Sequence, residues 1–188
     1  AAAIIPYEVA HNFDLRVSLT LFTSLFVHGG WFHILGNMLY LWIFGNNVED
    51  AMGHLRFALF YLLCGLGASA AQIAVNIDSP VPNIGASGAI AGVLGAYLIL
   101  FPRARVVSLV TLGYFVRLVR VPAVLVLGLW IVVQLFSGLV SLGMSGVGGI
   151  AWFAHLGGFF AGLLLVRIFA RNRVWYRGET VPPGSWKD

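Results

Sequence analysis

Long stretches without charged side chains constrain this chain more than any other feature of its sequence. Four stretches lack Asp, Glu, Lys and Arg: Val17–Val48, Phe57–Ile77, Ser79–Pro102 and Val121–Val166. About 20 apolar residues in a helix cross the hydrocarbon core of a bilayer, and the last stretch is long enough for two crossings. The chain is therefore predicted to cross a membrane several times.

The composition excludes the common soluble classes. Hydrophobic residues make up 60% of the 188 residues and charged residues only 10%, whereas soluble domains average about 45–50% and about 25%. Such a chain cannot cover its surface with polar groups, and it is too apolar to be disordered. The single cysteine, Cys64, excludes an intrachain disulfide framework and a zinc site built from several cysteines.

An all-α fold is predicted, a polytopic transmembrane helix bundle, because an open sheet edge cannot lie in hydrocarbon. We expect a membrane domain over residues 1–171, whose residues 1–32 form an outer interfacial region, and a polar cytoplasmic tail over 172–188. Turn residues divide the longest apolar stretch in two. The five predicted spans are 33–48, 56–77, 85–101, 121–142 and 149–170.

The basic residues predict the orientation. All but one of the 11 Lys and Arg residues fall on one side of these spans, and Arg16 is the exception. The positive-inside rule makes the arginine-rich side cytoplasmic. This placement explains the net charge of +4 without a nucleic-acid partner. It fits a bacterial inner (plasma) membrane, with an organelle membrane as the alternative.

Four polar side chains lie where the sequence predicts membrane. His33 and Asn37 are spaced i, i+4 and so share one helix face, Ser87 opens the third span, and His155 lies near the start of the fifth. The predicted topology puts all four near the outer ends of their helices. Intramembrane polar groups are costly and are therefore functional candidates.

These four side chains are the parts of a serine hydrolase. Ser87 would be the nucleophile and His155 the base that takes its proton. Asn37 and His33 could donate hydrogen bonds to an oxyanion. No Asp or Glu lies within a span beside His155, so a Ser-His dyad is favoured over a triad. Gln134 is interpreted as a residue that forms a hydrogen bond between two helices.

Glycine spacing predicts the close approach that this site needs. Gly88 with Gly92, and Gly158 with Gly162, form two GxxxG patterns. Small residues at this spacing let membrane helices pack closely. Packing of the third span against the fifth would bring Ser87 to His155.

Other functions remain open from the residues alone. His33 and Asn37 could tie two helices together, or the histidines could serve a transporter or a haem-binding protein. His28 and His33 could bind a metal, but their i, i+5 spacing does not place both on one helix face. The HExxH motif of zinc proteases is absent, and no aspartate lies inside a span. We therefore expect neither a metal nor a cofactor.

Four motifs together resemble one family. They are FVHGGWFHILGNM at 26–38, GNNVED at 45–50, GASGAIAG at 85–92 and AHLGGFFAG at 154–162. With these motifs the chain resembles the rhomboid intramembrane serine proteases over about residues 6–171. The resemblance implies Ser87 as nucleophile, His155 as base and His33 with Asn37 as the oxyanion hole. It also implies that four glycines allow the close packing of the active site: Gly85, Gly88, Gly158 and Gly162.

The resemblance also implies a substrate class and a fuller fold. Members of this family cleave transmembrane helices of other membrane proteins near the outer face of the bilayer, without a cofactor. The family core has six helices, so a first helix is expected upstream of Ala1. The family often has an aromatic residue stacked on the histidine where this chain has Ala91. The alternative is a catalytically silent relative that binds client transmembrane helices. No oligomeric state is indicated.

Overall fold

The computed structural model describes residues 2–142 and 150–171 of the chain. The predicted cytoplasmic tail, 172–188, lies outside these residues. So does the segment 143–149, which holds the predicted start of the fifth span.

The chain opens with short helices, α1 (Pro6–His11) and α2 (Leu15–Thr23), followed by a 3-10 turn at Ser24–Phe26. Asp14 caps α2, because its side-chain oxygen accepts a hydrogen bond of 2.7 Å from the backbone N–H of Val17. This region covers most of the predicted outer interfacial segment.

The first predicted span falls within one continuous helical segment. It comprises α3 (Trp31–Tyr40), a π-helical stretch at Leu41–Gly45 and α4 (Asn46–Met52). This segment makes an angle of 77° with the preceding helical region, Leu15–Phe26. The chain turns there through Gly29 and Gly30, which separate the two helical regions.

Among residues 2–142 and 150–171, three helices are long and apolar enough to cross a membrane: α5 (His54–Val75), α7 (Ala123–Leu142) and α8 (Trp152–Phe169). Large apolar side chains on their outer faces, such as Leu129, Phe136 and Leu164, are exposed, as expected where lipid covers a helix. Helix α6 (Ser87–Leu100) is shorter, with 14 residues. The helical membrane bundle predicted from the sequence is confirmed, although α6 is shorter than a full span.

Helix α6 lies at the centre of the bundle, and every residue from Gly88 to Tyr97 is buried. It packs mainly against α8 and α5. A Cβ atom at Gly162 of α8 would overlap the carbonyl group of Gly92. The two backbones therefore touch, as the GxxxG spacing predicts.

The segment between α6 and α7 is a β-hairpin, which the prediction of helices alone did not include. Strands β1 (Arg105–Leu112) and β2 (Phe115–Pro122) pair antiparallel, and Gly113 adopts a φ of +60° in the turn. An unpaired sheet edge is excluded only from the hydrocarbon core. A hairpin between two helix ends can satisfy its outer edges in the polar region beyond that core.

Candidate active site

Ser87 and His155 meet where the first turns of α6 and α8 come together. Ser87 is the first residue of α6, and His155 lies in the first turn of α8. The Oγ atom of Ser87 is 2.8 Å from Nε2 of His155. The two residues are far apart in sequence, and the contact between α6 and α8 brings them together.

Glycine makes this contact possible. A Cβ atom at Gly158, one turn after His155, would overlap the carbonyl oxygen of Gly88, the residue after Ser87. A Cβ atom at Gly88 would lie 2.5 Å from the Cβ atom of Ala68 on α5. A larger residue at either position would push the helices apart and separate the serine from the histidine.

The other two predicted site residues come from α3. Asn37 is buried, and its Nδ2 atom has no hydrogen-bond partner among the residues that the structure describes. The backbone N–H of Gly29 donates to Nδ1 of His33 at 3.3 Å. Because Nδ1 accepts this bond, Nε2 carries the hydrogen in the neutral ring. Both residues thus keep an N–H group available for a ligand.

Gly85 holds open the space in front of these donors. Its φ is +118°, and its backbone N–H donates to the carbonyl oxygen of Ser24 at 2.9 Å. A Cβ atom there would lie 2.7 Å from Nε2 of His33 and 3.8 Å from Nδ2 of Asn37. Both the backbone conformation and the space therefore require glycine.

One cavity of about 730 Å³ joins all four polar side chains. Its walls include Ser87, His155, His33 and Asn37, together with Trp130 of α7. A volume of this size is typical of ligand-binding clefts. A second cavity of about 40 Å³ borders Ser87 and is large enough to hold a water molecule. Its walls are mostly apolar, with Ser24, Ser69 and Gln72 among the polar residues.

Residues that the sequence analysis did not assign to the site surround the ring of His155. Oε1 of Gln134 lies 2.7 Å from Nδ1 of His155, so the interhelical bond expected of this glutamine is made to the histidine ring itself. Trp130 and Trp152 flank the ring, with centroid distances of 5.9 and 6.3 Å. These contacts orient a ring that Ala91 cannot stack against. The sequence signal that could have assigned Gln134 to the site was its position as an amide in an otherwise apolar span, one turn after Trp130.

The histidine pair considered for metal binding lies beside the cavity. The rings of His28 and His33 meet edge to face, with centroids 5.1 Å apart. Within residues 2–142 and 150–171, no group of three or more His, Cys, Asp or Glu side chains could hold a metal ion.

Comparison with known proteins gives consistent matches. The family model for the Rhomboid domain matches residues 16–172. The chain is 34% identical over 149 residues to RHOMBOID-like protein 1 of Arabidopsis thaliana, covering 79% of this chain and 34% of that protein. It is 35% identical over 145 residues to Rhomboid protease GluP of Bacillus subtilis (strain 168), covering 77% and 25%. Rhomboid protein 1, mitochondrial, of Saccharomyces cerevisiae is 29% identical over 154 residues, covering 78% and 40%. The chain thus spans 25% to 40% of the length of these three relatives.

Proposed function

Because this chain belongs to the rhomboid family of multi-pass membrane proteins, we propose that it is an intramembrane serine endopeptidase that works with a Ser-His dyad. One relative is named as a protease, Rhomboid protease GluP. The observation that carries the proposal is the distance of 2.8 Å between Oγ of Ser87 and Nε2 of His155.

Ser87 is the nucleophile and His155 the general base. The hydroxyl of Ser87 donates its hydrogen bond to Nε2, which takes the proton as Oγ attacks a peptide carbonyl carbon. The protonated ring then gives this proton to the leaving amine nitrogen, and an ester on Ser87 remains. His155 next takes a proton from a water molecule as the water oxygen attacks the ester, and it returns this proton to Oγ of Ser87 when the second product leaves.

Asn37 and His33 stabilise the oxyanion of each tetrahedral intermediate. Their free N–H groups border the same cavity as Ser87, with the conformation of Gly85 keeping the space between them open. The backbone N–H of Ser87, at the start of α6, is one of the helix N–H groups without a helical partner. Preorganised donors of this kind usually stabilise the transition state of acyl transfer more than any other single interaction does.

The substrate is a transmembrane helix of another membrane protein, cut near the outer face of the bilayer. The cavity is bordered by Phe32 and Tyr40 of α3 and by Trp130 of α7, so a segment entering between α3 and α7 would reach Ser87. The dyad lies near the ends of α6 and α8, where water has the shortest path to the ester.

The membrane domain covers residues 1–171 in this proposal, with the active site on the extracytoplasmic side and the tail 172–188 in the cytoplasm. The arginines between α6 and α7 support this orientation. The relatives come from a plant, a bacterium and a yeast, and they do not support a bacterial inner membrane over an organelle membrane.

Labelling with a fluorophosphonate probe, followed by peptide mapping, tests the proposal. We expect the purified protein to label at Ser87 and to cleave a transmembrane reporter, and Ser87→Ala and His155→Ala to abolish both activities. Ser69→Ala is the matched control, because Ser69 is a buried serine whose hydroxyl donates to the carbonyl oxygen of Gly65 in its own helix. A folded protein that neither labels nor cleaves, but that still binds transmembrane helices of other proteins, would instead be the catalytically silent client-binding relative.

A further inference from the structure

We propose that Gln134 is the positioning residue for the base, and that its side-chain oxygen holds His155 in the tautomer that can accept a proton from Ser87. This inference rests on the proposed function of the Ser-His pair. Gln134 lies on α7, in the buried stripe that this helix turns towards the bundle.

The two ring nitrogens of His155 have partners on opposite sides. Nδ1 is 2.7 Å from Oε1 of Gln134, and Nε2 is 2.8 Å from Oγ of Ser87. An amide oxygen only accepts hydrogen bonds, so Nδ1 must carry the hydrogen. Nε2 of the neutral ring is then unprotonated and faces the hydroxyl, as a general base requires.

A second hydrogen bond fixes which way the amide of Gln134 points. Its Nε2 atom donates to the backbone carbonyl oxygen of Trp130 at 3.4 Å. In the reversed orientation, two oxygens would face each other at Trp130, and the amide NH₂ would face Nδ1 of His155. Nδ1 would then have to be the acceptor, and the ring hydrogen would lie on Nε2, where it blocks proton transfer from Ser87.

Among the neighbours of His155, Gln134 is the residue that can fix the tautomer of the ring. Trp130 and Trp152 flank the ring and restrict its movement, but neither indole has a hydrogen-bond acceptor. No Asp or Glu in the described parts of the chain hydrogen-bonds to His155. The glutamine therefore takes the place that an acid has in a catalytic triad.

The test compares Gln134→Met, which keeps the length of the side chain without the acceptor, with Gln134→Glu, which keeps an acceptor. We expect Gln134→Met to lower kcat and the rate of fluorophosphonate labelling by about tenfold to a hundredfold, the range for an unmade buried hydrogen bond. The KM for a transmembrane reporter should change little. Gln134→Glu should recover most of the lost rate at pH 8.

Nitrogen-15 spectra of labelled histidine give a readout that packing alone does not move. The signal of His155, identified by its loss in His155→Ala, should show the hydrogen on Nδ1 in the wild type and a mixture of tautomers in Gln134→Met. This measurement decides the inference even for a protein that fails to cleave, which would refute only the proposed function. An unchanged tautomer in Gln134→Met would refute the role of Gln134.

Gln72→Met is the matched control. Oε1 of Gln72 also accepts a hydrogen bond from α8, but from the backbone N–H of Ala154 at 3.1 Å. Its loss should lower thermal stability without changing the tautomer of His155. If both variants lose activity only in proportion to their folded fraction, or if Gln134→Met cleaves faster, Gln134 merely fastens α7 to α8 and the inference is wrong.

A second inference comes from the β-hairpin and does not depend on the proposed function: we infer that one of its faces docks on an anionic lipid surface. The strand register places Val107, Leu109, Val116 and Leu118 on the same face, because directly paired residues point the same way. These four side chains are 58% to 71% exposed. The opposite face is covered near the helices, where Val106 packs against the core, whereas Phe115 near the turn is exposed.

The charge of the hairpin selects the lipid. Arg105 and Arg120 lie on the exposed face, at its end nearest the helices, and the segment 101–122 contains no Asp or Glu. The hairpin also cannot move far from the bilayer, because the backbone N–H of Ala123 donates to the carbonyl oxygen of Ala104 at 2.8 Å, next to the ends of α6 and α7. Apolar side chains bordered by arginines suit the headgroup region of an anionic leaflet.

Fluorescence quenching by lipids brominated on their acyl chains tests this docking. A bimane label on Leu118→Cys, on the exposed face, should be quenched in nanodiscs that contain phosphatidylglycerol and less in phosphatidylcholine alone. A label on Ser108→Cys, on the opposite face, is the matched control and should be quenched less. Arg105→Gln combined with Arg120→Gln should remove the dependence on phosphatidylglycerol.

Two results would overturn the inference. One is quenching at position 118 that is absent or independent of headgroup charge. The other is protection of position 118 from brominated lipids together with disulfide cross-linking between copies of Leu118→Cys, which would make the face an interface with a second copy of this chain.

Discussion

Gly158 of α8 lies against the main-chain carbonyl oxygen of Gly88 of α6, so closely that a Cβ atom at position 158 would overlap it. The backbone contact occurs one residue after Ser87 and three residues after His155. The packing of two helices and the distance between two reactive side chains are therefore set by the same contact.

Gly158→Ala should destabilise the bundle and separate the dyad. A carbonyl oxygen in a helix cannot move aside as a side chain can, so we expect a loss of about 1–3 kcal/mol of unfolding free energy. Thermal unfolding in detergent measures the stability, and fluorophosphonate labelling at Ser87 measures the separation. Gly128→Ala on α7 is the control, since no other element of the described residues lies within 4 Å of its Cβ position. Equal stability of the two variants would contradict this prediction.

Gly85→Ala should abolish cleavage while leaving much of the bundle folded. The new methyl group would lie 2.7 Å from Nε2 of His33, in the space proposed for the oxyanion. Gly113→Ala has the same kind of backbone penalty, because its φ is +60°, but its Cβ position is open among the described residues. Reporter cleavage should persist in Gly113→Ala. Cleavage by Gly85→Ala at the wild-type rate would exclude an oxyanion at this position.

Asn37→Ala should lower kcat by about a hundredfold to a thousandfold, as the loss of one oxyanion donor does in known serine hydrolases. The physical reason is that Nδ2 of Asn37 is a buried donor without a partner among the described residues, and only a developing charge in the cavity would use it fully. Steady-state cleavage of a reporter measures the effect. Asn47→Ala on α4 is the matched control, because the side-chain amide of Asn47 lies 3.4 Å from the hydroxyl of Tyr97 and does not border the cavity. A similar fall in both variants would argue for a structural role instead.

The thiol of Cys64 should react with a polar maleimide only after the bundle unfolds. Cys64 is fully buried on α5, against Gly92 of α6, and it is the one cysteine in the sequence. Its rate of modification under native conditions therefore reports the opening of the central helices. Rapid modification of the folded protein would show that α5 and α6 separate readily. Slow modification would also leave the native chain suitable for labelling at added cysteines.

The sequence by itself determined the helical bundle and the candidate dyad. The absence of charge over bilayer-length stretches allows only helices in hydrocarbon, and each buried polar residue is conspicuous in an apolar segment. Ser87, His155, His33 and Asn37 could therefore be selected one by one, and two GxxxG patterns indicated which helices approach. These are local signals, which depend on residue type and on spacing within one helix.

Only the tertiary structure decided what each polar group faces. Gln134 was recognisable as an amide in an apolar span. Its partner on α8, however, depends on how α7 is rotated about its axis. The sequence of α7 does not specify this rotation, because several of its sides are apolar enough to face lipid. The hairpin of β1 and β2 was missed for a related reason, since apolar residues between arginines fit an interfacial helix as well as a strand pair. The space in front of His33 exists because Gly85, which adopts a positive φ, has no Cβ atom. That conformation and that space arise from contacts between segments distant in sequence, and spacing along the chain does not encode them directly.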